Sequence, residues 1–308
     1  MEINKLKRER LPDWIKIDFK HDSSVLKLKK ELKSRKLFTV CEEARCPNLS
    51  ECFGEKKTAT FMILGKNCTR NCAFCNVANL DTTPIDPNEP KNIAEMTKEL
   101  GLKHVVITSV TRDDQKDGGS EQFVKAIKEI RNITKATIEV LTPDFQGSEI
   151  DRQRISVAKP EIYNHNVETV PELYDIIRPQ AIYKRSIEFL KGIKRDDPSI
   201  LTKSGIMVGL GETDDQLKSL LDDIVSAQVD IFTCGQYLRP SKFNYKVQEY
   251  KTEEWFERFK EIALNAGLEN VYSSPFTRSS YNASEIIEKI KNNNASEIIE
   301  NIKNNTVN

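Results

Sequence analysis

Seven cysteines occur in 308 residues, and six of them lie between positions 41 and 75. Cys68, Cys72 and Cys75 form a C-x3-C-x2-C spacing, while Cys41, Cys46 and Cys52 form C-x4-C-x5-C. The first ten residues are charged and lack the apolar stretch of a secretory signal. Clustered thiols in a reducing compartment bind metal or do redox chemistry rather than pair as disulfides. Three thiolates are one short of the four ligands that structural zinc takes. They suit an iron–sulfur cluster, normally held by four cysteines, in which one iron is left open for another ligand. The alternative is a zinc knuckle completed by a distant residue such as Cys234. Six thiolates exceed any single common site, so two separate clusters are the simpler reading.

The bulk numbers narrow the partners. Lys+Arg and Asp+Glu both total 47, so the basic excess of a nucleic-acid binder is absent from the total and no nucleic-acid partner is expected. No apolar run approaches the roughly 20 residues that span a bilayer. No membrane partner is expected, and the expected location is cytoplasmic.

The elements that must position these thiols follow from the pattern beyond residue 57. Short apolar runs at Thr58–Leu64, His104–Val110, Thr137–Leu141, Glu161–Val167, Ser204–Gly209 and Asp230–Leu238 read as strands. Helical stretches are expected near Asn92–Gly101, Ser120–Asn132, Ala181–Lys194, Asp214–Gln228 and Glu253–Ala266. Such alternation implies parallel strands joined by crossovers. The expected fold is α/β, a partial (β/α)6 TIM-type barrel, because about six units are visible and a closed eight-unit barrel needs about 250 residues, more than the roughly 210 between Thr58 and Tyr272. A doubly wound open sheet is the alternative. Three regions result: an N-terminal extension over 1–57 carrying Cys41, Cys46 and Cys52, a barrel core over 58–272, and a C-terminal segment over 273–308. A further helix is expected around Ser24 to Arg35. The tail repeats itself, NASEIIEKIKNN at Asn282–Asn293 and NASEIIENIKNN at Asn294–Asn305, and reads as an exposed amphipathic helical extension.

The C-x3-C-x2-C spacing, with Phe74 before its last cysteine and a strand just ahead of it, resembles the signature of the radical S-adenosylmethionine (SAM) superfamily. Preceded at short range by the first triplet, it resembles the lipoyl synthase family. RSSY at Arg278–Tyr281, TSVTRDDQKDGG at Thr108–Gly119, NHNVETV at Asn164–Val170, YKRS at Tyr183–Ser186 and GQYLRPS at Gly235–Ser241 extend the resemblance from about Trp14 to Ala283. Thr111 stands where aspartate is common, and Lys242–Tyr245 departs from a His-containing sequence.

The resemblance implies two [4Fe–4S] clusters and SAM. Cys68, Cys72 and Cys75 would hold the cluster that chelates SAM. Cys41, Cys46, Cys52 and Ser280 would hold an auxiliary cluster that donates sulfur. The implied reaction inserts sulfur at C6 and C8 of a protein-bound octanoyl-lysine. The implied partners are an octanoylated carrier (the lipoyl domain of a 2-oxoacid dehydrogenase or the glycine-cleavage H protein), a ferredoxin or flavodoxin reductant, and a cluster-repair protein. Gly209 and Glu212 lie in GIMVGLGE, which resembles an adenine-proximal strand of the superfamily. Gly118 and Gly119 match a segment near the SAM amino group, with Ser120 replacing an acidic residue. Asn164, Glu168 and Arg185 are expected to touch SAM or substrate, and Arg278 to act with Ser280 or with a substrate carbonyl. His104 and His165 read as packed, hydrogen-bonded core histidines, and Cys234 as a small buried hydrophobe.

Rival families fit less well. Methylthiotransferases spread their first triplet over a whole domain, biotin synthase lacks an upstream triplet of this form, and two-cluster ferredoxins are small with eight ligand cysteines.

Overall fold

A computed structural model of the chain describes residues 11–12, 14–15, 30–35, 37–40 and 58–280. Cys41, Cys46, Cys52 and the duplicated tail lie outside the described residues, as does most of the helix expected around Ser24 to Arg35; residues 30–34 of it are helical.

Among the described residues, eight strands form one sheet in chain order: β1 (Phe38–Thr39), β2 (Thr58–Ile63), β3 (His104–Ser109), β4 (Thr137–Leu141), β5 (Ile162–Asn164), β6 (Leu201–Val208), β7 (Ile231–Gln236) and β8 (Asn270–Ser273). Strands β2 to β8 are parallel, and β1 pairs antiparallel with β2. The helices between them are α1 (Glu89–Glu99), α2 (Ser120–Ile133), α3 (Glu149–Val157), α4 (Tyr174–Ile177), α5 (Tyr183–Asp196), α6 (Asp214–Ser226) and α7 (Glu253–Asn265). A doubly wound sheet reverses its strand order at a switch point. Here the order never reverses, and β1 and β8 do not pair with each other, so the architecture is the partial barrel. All six expected strands are present. The barrel also runs one parallel strand further than expected, because the four-residue NVYS of β8 is too short to stand out in the sequence.

Alternation along the strands separates two buried faces. One face carries Ala59, Phe61, Ile63, Val105, Ile107, Ile138, Val140, Ile206, Val208, Phe232 and Cys234, which join the helices in one continuous core. The other face carries Thr58, Thr60, His104, Thr108, Glu139, Asn164, Lys203 and Thr233, all buried and all polar. Beneath them, at the strand starts, Ile162 and Ile231 pack with Leu201 and Tyr272 as a separate apolar floor. Above that floor Lys203 Nζ lies 3.1 Å from Glu139 Oε1, with both side chains fully buried. Asn164 donates to the same carboxylate at 2.9 Å.

Helix α3 was not visible in the sequence. Ile150 and Val157 are 70% and 80% exposed, so no apolar stripe marks its inner face. It is held instead by polar contacts. Ser148 caps it by accepting from Asp151 N at 3.3 Å, and Arg152 pairs with Asp196 at 2.8 Å in a buried setting. A Ser with an acidic residue three positions on is a helix-start signal, and Ser148-Glu-Ile-Asp151 carries it.

Candidate functional site

The cysteine loop leaves the C-terminal end of β2 and is tied down on four sides. Cys68 N bonds Ala78 O at 2.8 Å and Thr69 N bonds Thr111 O at 3.0 Å, beyond β3. Arg70, between the first two cysteines, reaches Asp113 at 2.7 Å and Asp144 at 2.6 Å, beyond β3 and β4. Ala73 N bonds Ile177 O in α4 at 2.8 Å, and Tyr245 N bonds Ala73 O at 2.9 Å. Asn244 Nδ2 donates to Cys75 O at 2.7 Å. Asn244 lies in the stretch where a His-containing sequence was expected, so that departure still supplies a donor that anchors the loop.

The three cysteines are reduced and half-buried. Backbone N–H groups point at two of the sulfurs: Thr111 N at 3.3 Å and Arg70 N at 3.4 Å from Cys68 Sγ, and Val77 N at 3.4 Å from Cys75 Sγ. Such donors favour thiolate over thiol. Burial pushes the Cys75 thiol up to about 12 and raises Cys72 as well, and each thiol feels the charge of its neighbours in the triplet. Among the described residues, no three Cys, His, Asp or Glu side chains converge as a single ion requires. A cubane places its thiolates on separate irons, further apart than the ligands of one zinc. Cys234 is fully buried in the core face of β7, with Glu212, Lys251 and Ser273 as its polar neighbours; it behaves as the small hydrophobe expected and does not complete a zinc site with the loop.

The remaining expected site residues gather at the same strand ends. Phe74 packs with Ile177, Leu210, Tyr237 and Met207 in an apolar cluster beside the loop. Asn164 ends β5 with its amide nitrogen on Glu139 and its Oδ1 buried without a partner. Glu168 adopts φ +66°. Its backbone bridges to β6 through Gly205 O and Met207 N, and its carboxylate accepts from Asn166 at 3.1 Å. Burial raises the Glu168 pKa, opposed by the positive charge of Arg178. Arg185 Nε pairs with Asp144 at 2.7 Å, the carboxylate that also holds Arg70. Burial opposes ionisation of Asp144, yet these guanidinium groups keep its pKa far below the usual carboxylate range.

Other expected contacts turn out to shape backbone. Glu212 accepts from Gly209 N at 2.6 Å and Leu210 N at 2.9 Å, so its carboxylate fixes the turn after β6. Gly209 has φ +93°, and a Cβ there would lie 2.3 Å from Gln236 Nε2 and Glu249 O. Gly118 and Gly119 are also at positive φ and pack against Phe145 and Leu64 at the start of α2. Gly118 lines a polar cleft of about 490 Å³ with Asp113, Gln146 and Ser148. Arg278 Nη1 donates to Thr277 O at 2.7 Å and Pro275 O at 3.3 Å, tightening the segment that crosses the end of β7. Ser280 is the last described residue and lies half-buried in the turn that follows.

Sequence reasoning missed Asn166, Tyr174 and Arg178. Asn166 Oδ1 and Thr169 Oγ1 are buried without partners, as is Arg178 Nε. Buried polar groups are normally satisfied, so this concentration just after β5 marks a cradle for a polar ligand beside the cysteine loop. The unpaired atoms and sulfur-directed amides fit a thiolate-held cluster with SAM against it. The NHN run was the available signal, but which of its atoms lack partners depends on how the chain turns after β5.

A family model described as the radical SAM superfamily matches residues 62–224, and one described as the N-terminal domain of lipoyl synthase matches residues 1–46. A protein of Alkaliphilus metalliredigens named lipoyl synthase is 52% identical over 282 residues, covering 91% of this chain and 97% of its own. One of Caldanaerobacter subterraneus with the same name is 48% identical over 274 residues, covering 89% and 96%. Among solved structures, methylornithine synthase aligns at TM-score 0.53 and 14% identity, covering 84% of this chain and 86% of that one. SuiB of Streptococcus suis, bound to its precursor peptide, aligns at 0.57 and 13%, covering 87% and 58%. These two likenesses show the fold alone. The two family models, and relatives about half identical over nine-tenths of the sequence, place the cysteine loop and its barrel in one lineage: the chain belongs to the lipoyl synthase family of the radical SAM superfamily.

Proposed function

We propose that the chain inserts two sulfur atoms, at C6 and C8, into an octanoyl chain carried on a lysine of a lipoyl domain or H protein. The observation that carries this reading is the gathering of three loop thiols, a cradle of unpaired polar atoms and the Arg278–Ser280 segment at one end of a parallel barrel. The target carbons are unactivated, so no general acid or base reaches them.

Cys68, Cys72 and Cys75 would hold one [4Fe–4S] cluster, which with SAM would supply the radical chemistry that removes hydrogen from such carbons. Cys41, Cys46, Cys52 and Ser280 would hold a second, which would supply the sulfur. The protein's part is binding, orientation and exclusion of side reactions. Arg70, pinned by Asp113 and Asp144, and Asn244, bonded to Cys75 O, hold the loop that carries the three thiols. Asn164, Asn166 and Glu168 present polar atoms to SAM next to that loop. Phe74 with Ile177, Leu210 and Tyr237 offers an apolar wall beside it, and Arg185 stands at the rim. Gly118, Gly119, Gly209 and Glu212 shape the loops around it. Arg278 fixes the segment bearing Ser280. A serine oxygen is a harder donor than a thiolate, so Ser280 would hold its iron less firmly than the three cysteines hold theirs. A ferredoxin or flavodoxin supplies electrons and a cluster-repair protein restores the spent cluster, all in the cytoplasm. No described helix is long and apolar enough to cross a membrane.

The test is anaerobic turnover of an octanoyl-lysine peptide with SAM and dithionite, read by mass spectrometry. A product in which two hydrogens are exchanged for two sulfurs is expected. Cleavage of SAM with an unchanged peptide mass sinks the reading.

A further inference from the structure

Arg178 follows α4, and its side chain is buried at 9% exposure. Nη1 donates to Asn166 O and Val167 O, both at 3.2 Å, and to Tyr174 Oη at 2.9 Å. The guanidinium carbon sits 5.2 Å from the centre of the Tyr174 ring. These contacts fix the group without neutralising it. Nε is buried with no partner, and every Nη1 acceptor is a neutral oxygen. Among the described residues no carboxylate forms an ion pair with Arg178, whereas the other buried arginines, Arg70, Arg112 and Arg152, each have one. A buried cation without a counter-charge is costly. Ile177, the residue before Arg178, accepts from Ala73 N at 2.8 Å, which brings the guanidinium into the field of Cys72, whose charge it favours, with the Glu168 and Asp144 carboxyls as the other acidic groups there. The fork of an arginine suits a delocalised anion at such a place.

We infer that Arg178 is a positioning residue whose buried positive charge is matched by the iron–sulfur group ligated through Cys72, and that this charge sets how readily the group accepts its electron. The inference rests on Cys68, Cys72 and Cys75 holding that cluster. Reduction adds one electron from a ferredoxin- or flavodoxin-type donor and changes no covalent bond. The added negative charge is stabilised by a cation in a water-poor setting, so removing the cation makes reduction harder.

The experiment uses the full chain in a Cys41→Ala, Cys46→Ala, Cys52→Ala background, so that one cluster remains, with a redox titration by dithionite followed by electron paramagnetic resonance. Arg178→Gln is expected to load iron and to lower the equilibrium constant for reduction by about tenfold, about 59 mV for one electron. Arg178→Lys keeps the charge and is expected to load iron and titrate within a few-fold of the parent. If Arg178→Gln loads no iron, the Lys variant decides, and loading with a near-parental titration supports the role. A Gln variant that titrates at or above the parental potential overturns it, as does a Lys variant shifted as far as expected for Gln. Failure of both variants to load iron overturns it too, since a purely structural role predicts that result. A parental signal that survives Cys68→Ala instead refutes the cluster assignment on which the inference stands.

Discussion

Cys68 receives two backbone hydrogen bonds and Cys75 one, while Cys41 belongs to a different triplet, and the two sets should separate genetically. Cys68→Ala is expected to abolish SAM cleavage. Cys41→Ala is expected to retain SAM cleavage and yield no lipoyl product, as followed by 5′-deoxyadenosine release and peptide mass. Lipoyl product from Cys41→Ala contradicts the donor role of that triplet. Ser280→Cys is expected to hold its iron more firmly and to slow sulfur transfer, and an unchanged transfer rate removes the argument from donor hardness. His165 is buried, bonded to Thr142 O at 2.8 Å and Ser186 Oγ at 2.9 Å, and its pKa falls from 6.5 to about 4, mainly because burial penalises the charged ring. Its folded pKa lies below the unfolded one, so its contribution is whole above pH 6.5 and is lost as pH falls toward 4. The shift corresponds to about 3 kcal/mol. Urea unfolding should therefore show a steeper acid decline between these pH values in the parent than in His165→Gln. The thiols, the packed histidines and Cys234 were legible because residue type and spacing alone limit what they can do. Arg178 was not, since its meaning lies in lacking an ion-pair partner among the described residues, and only the turn after β5 decides that.

At the scale of elements, the loops after β2 and β7 meet through Asn244 and Tyr245, and the stretch after β8 is drawn over β7. Gly235 permits that approach, because a Cβ there would lie 2.0 Å from Thr277 O. Gly235→Ala is expected to push the Arg278–Ser280 segment away, leaving SAM cleavage within a few-fold of the parent while lipoyl formation falls by at least about tenfold, since small displacements of a reacting group cost about two orders of magnitude. Equal loss of both activities counts against that division of labour. Helices with a continuous apolar stripe were predicted within three residues of their observed bounds, α6 and α7 among them. Helix α3 was not, because Arg152–Asp196 and a Ser cap replace the stripe. Strand β5 was expected to run to Val167 but ends at Asn164, where His165 turns aside to Thr142 and Glu168 takes a positive φ.

Across the whole molecule, the barrel is buried on both faces, apolar toward the helices and polar toward its interior. The interior pair Lys203–Glu139 is fully enclosed. Removing one partner from such a pair costs about 3–5 kcal/mol, whereas replacing both with apolar residues is often neutral. Lys203→Met is expected to destabilise by that amount and Lys203→Met/Glu139→Leu to recover most of it, by urea unfolding; a double variant as unstable as the single one contradicts this. The alternation of strands and helices announced the parallel barrel, and the span from Thr58 to Tyr272 pointed to an incomplete one. The enclosure of the polar lining was hidden, because alternation such as that of TIEVL in β4 reads equally as a strand with one face in water. The most direct test of the whole account is isotopic. The chain is reconstituted with ³⁴S-sulfide, freed of excess sulfide, and turned over once with SAM, dithionite and an octanoyl-lysine peptide in unlabelled buffer. Both inserted sulfurs in the product are predicted to be ³⁴S, with the label absent from product when Cys41, Cys46 and Cys52 are alanine. Product sulfur of natural isotopic composition would contradict the claim that this chain's own cluster is the donor.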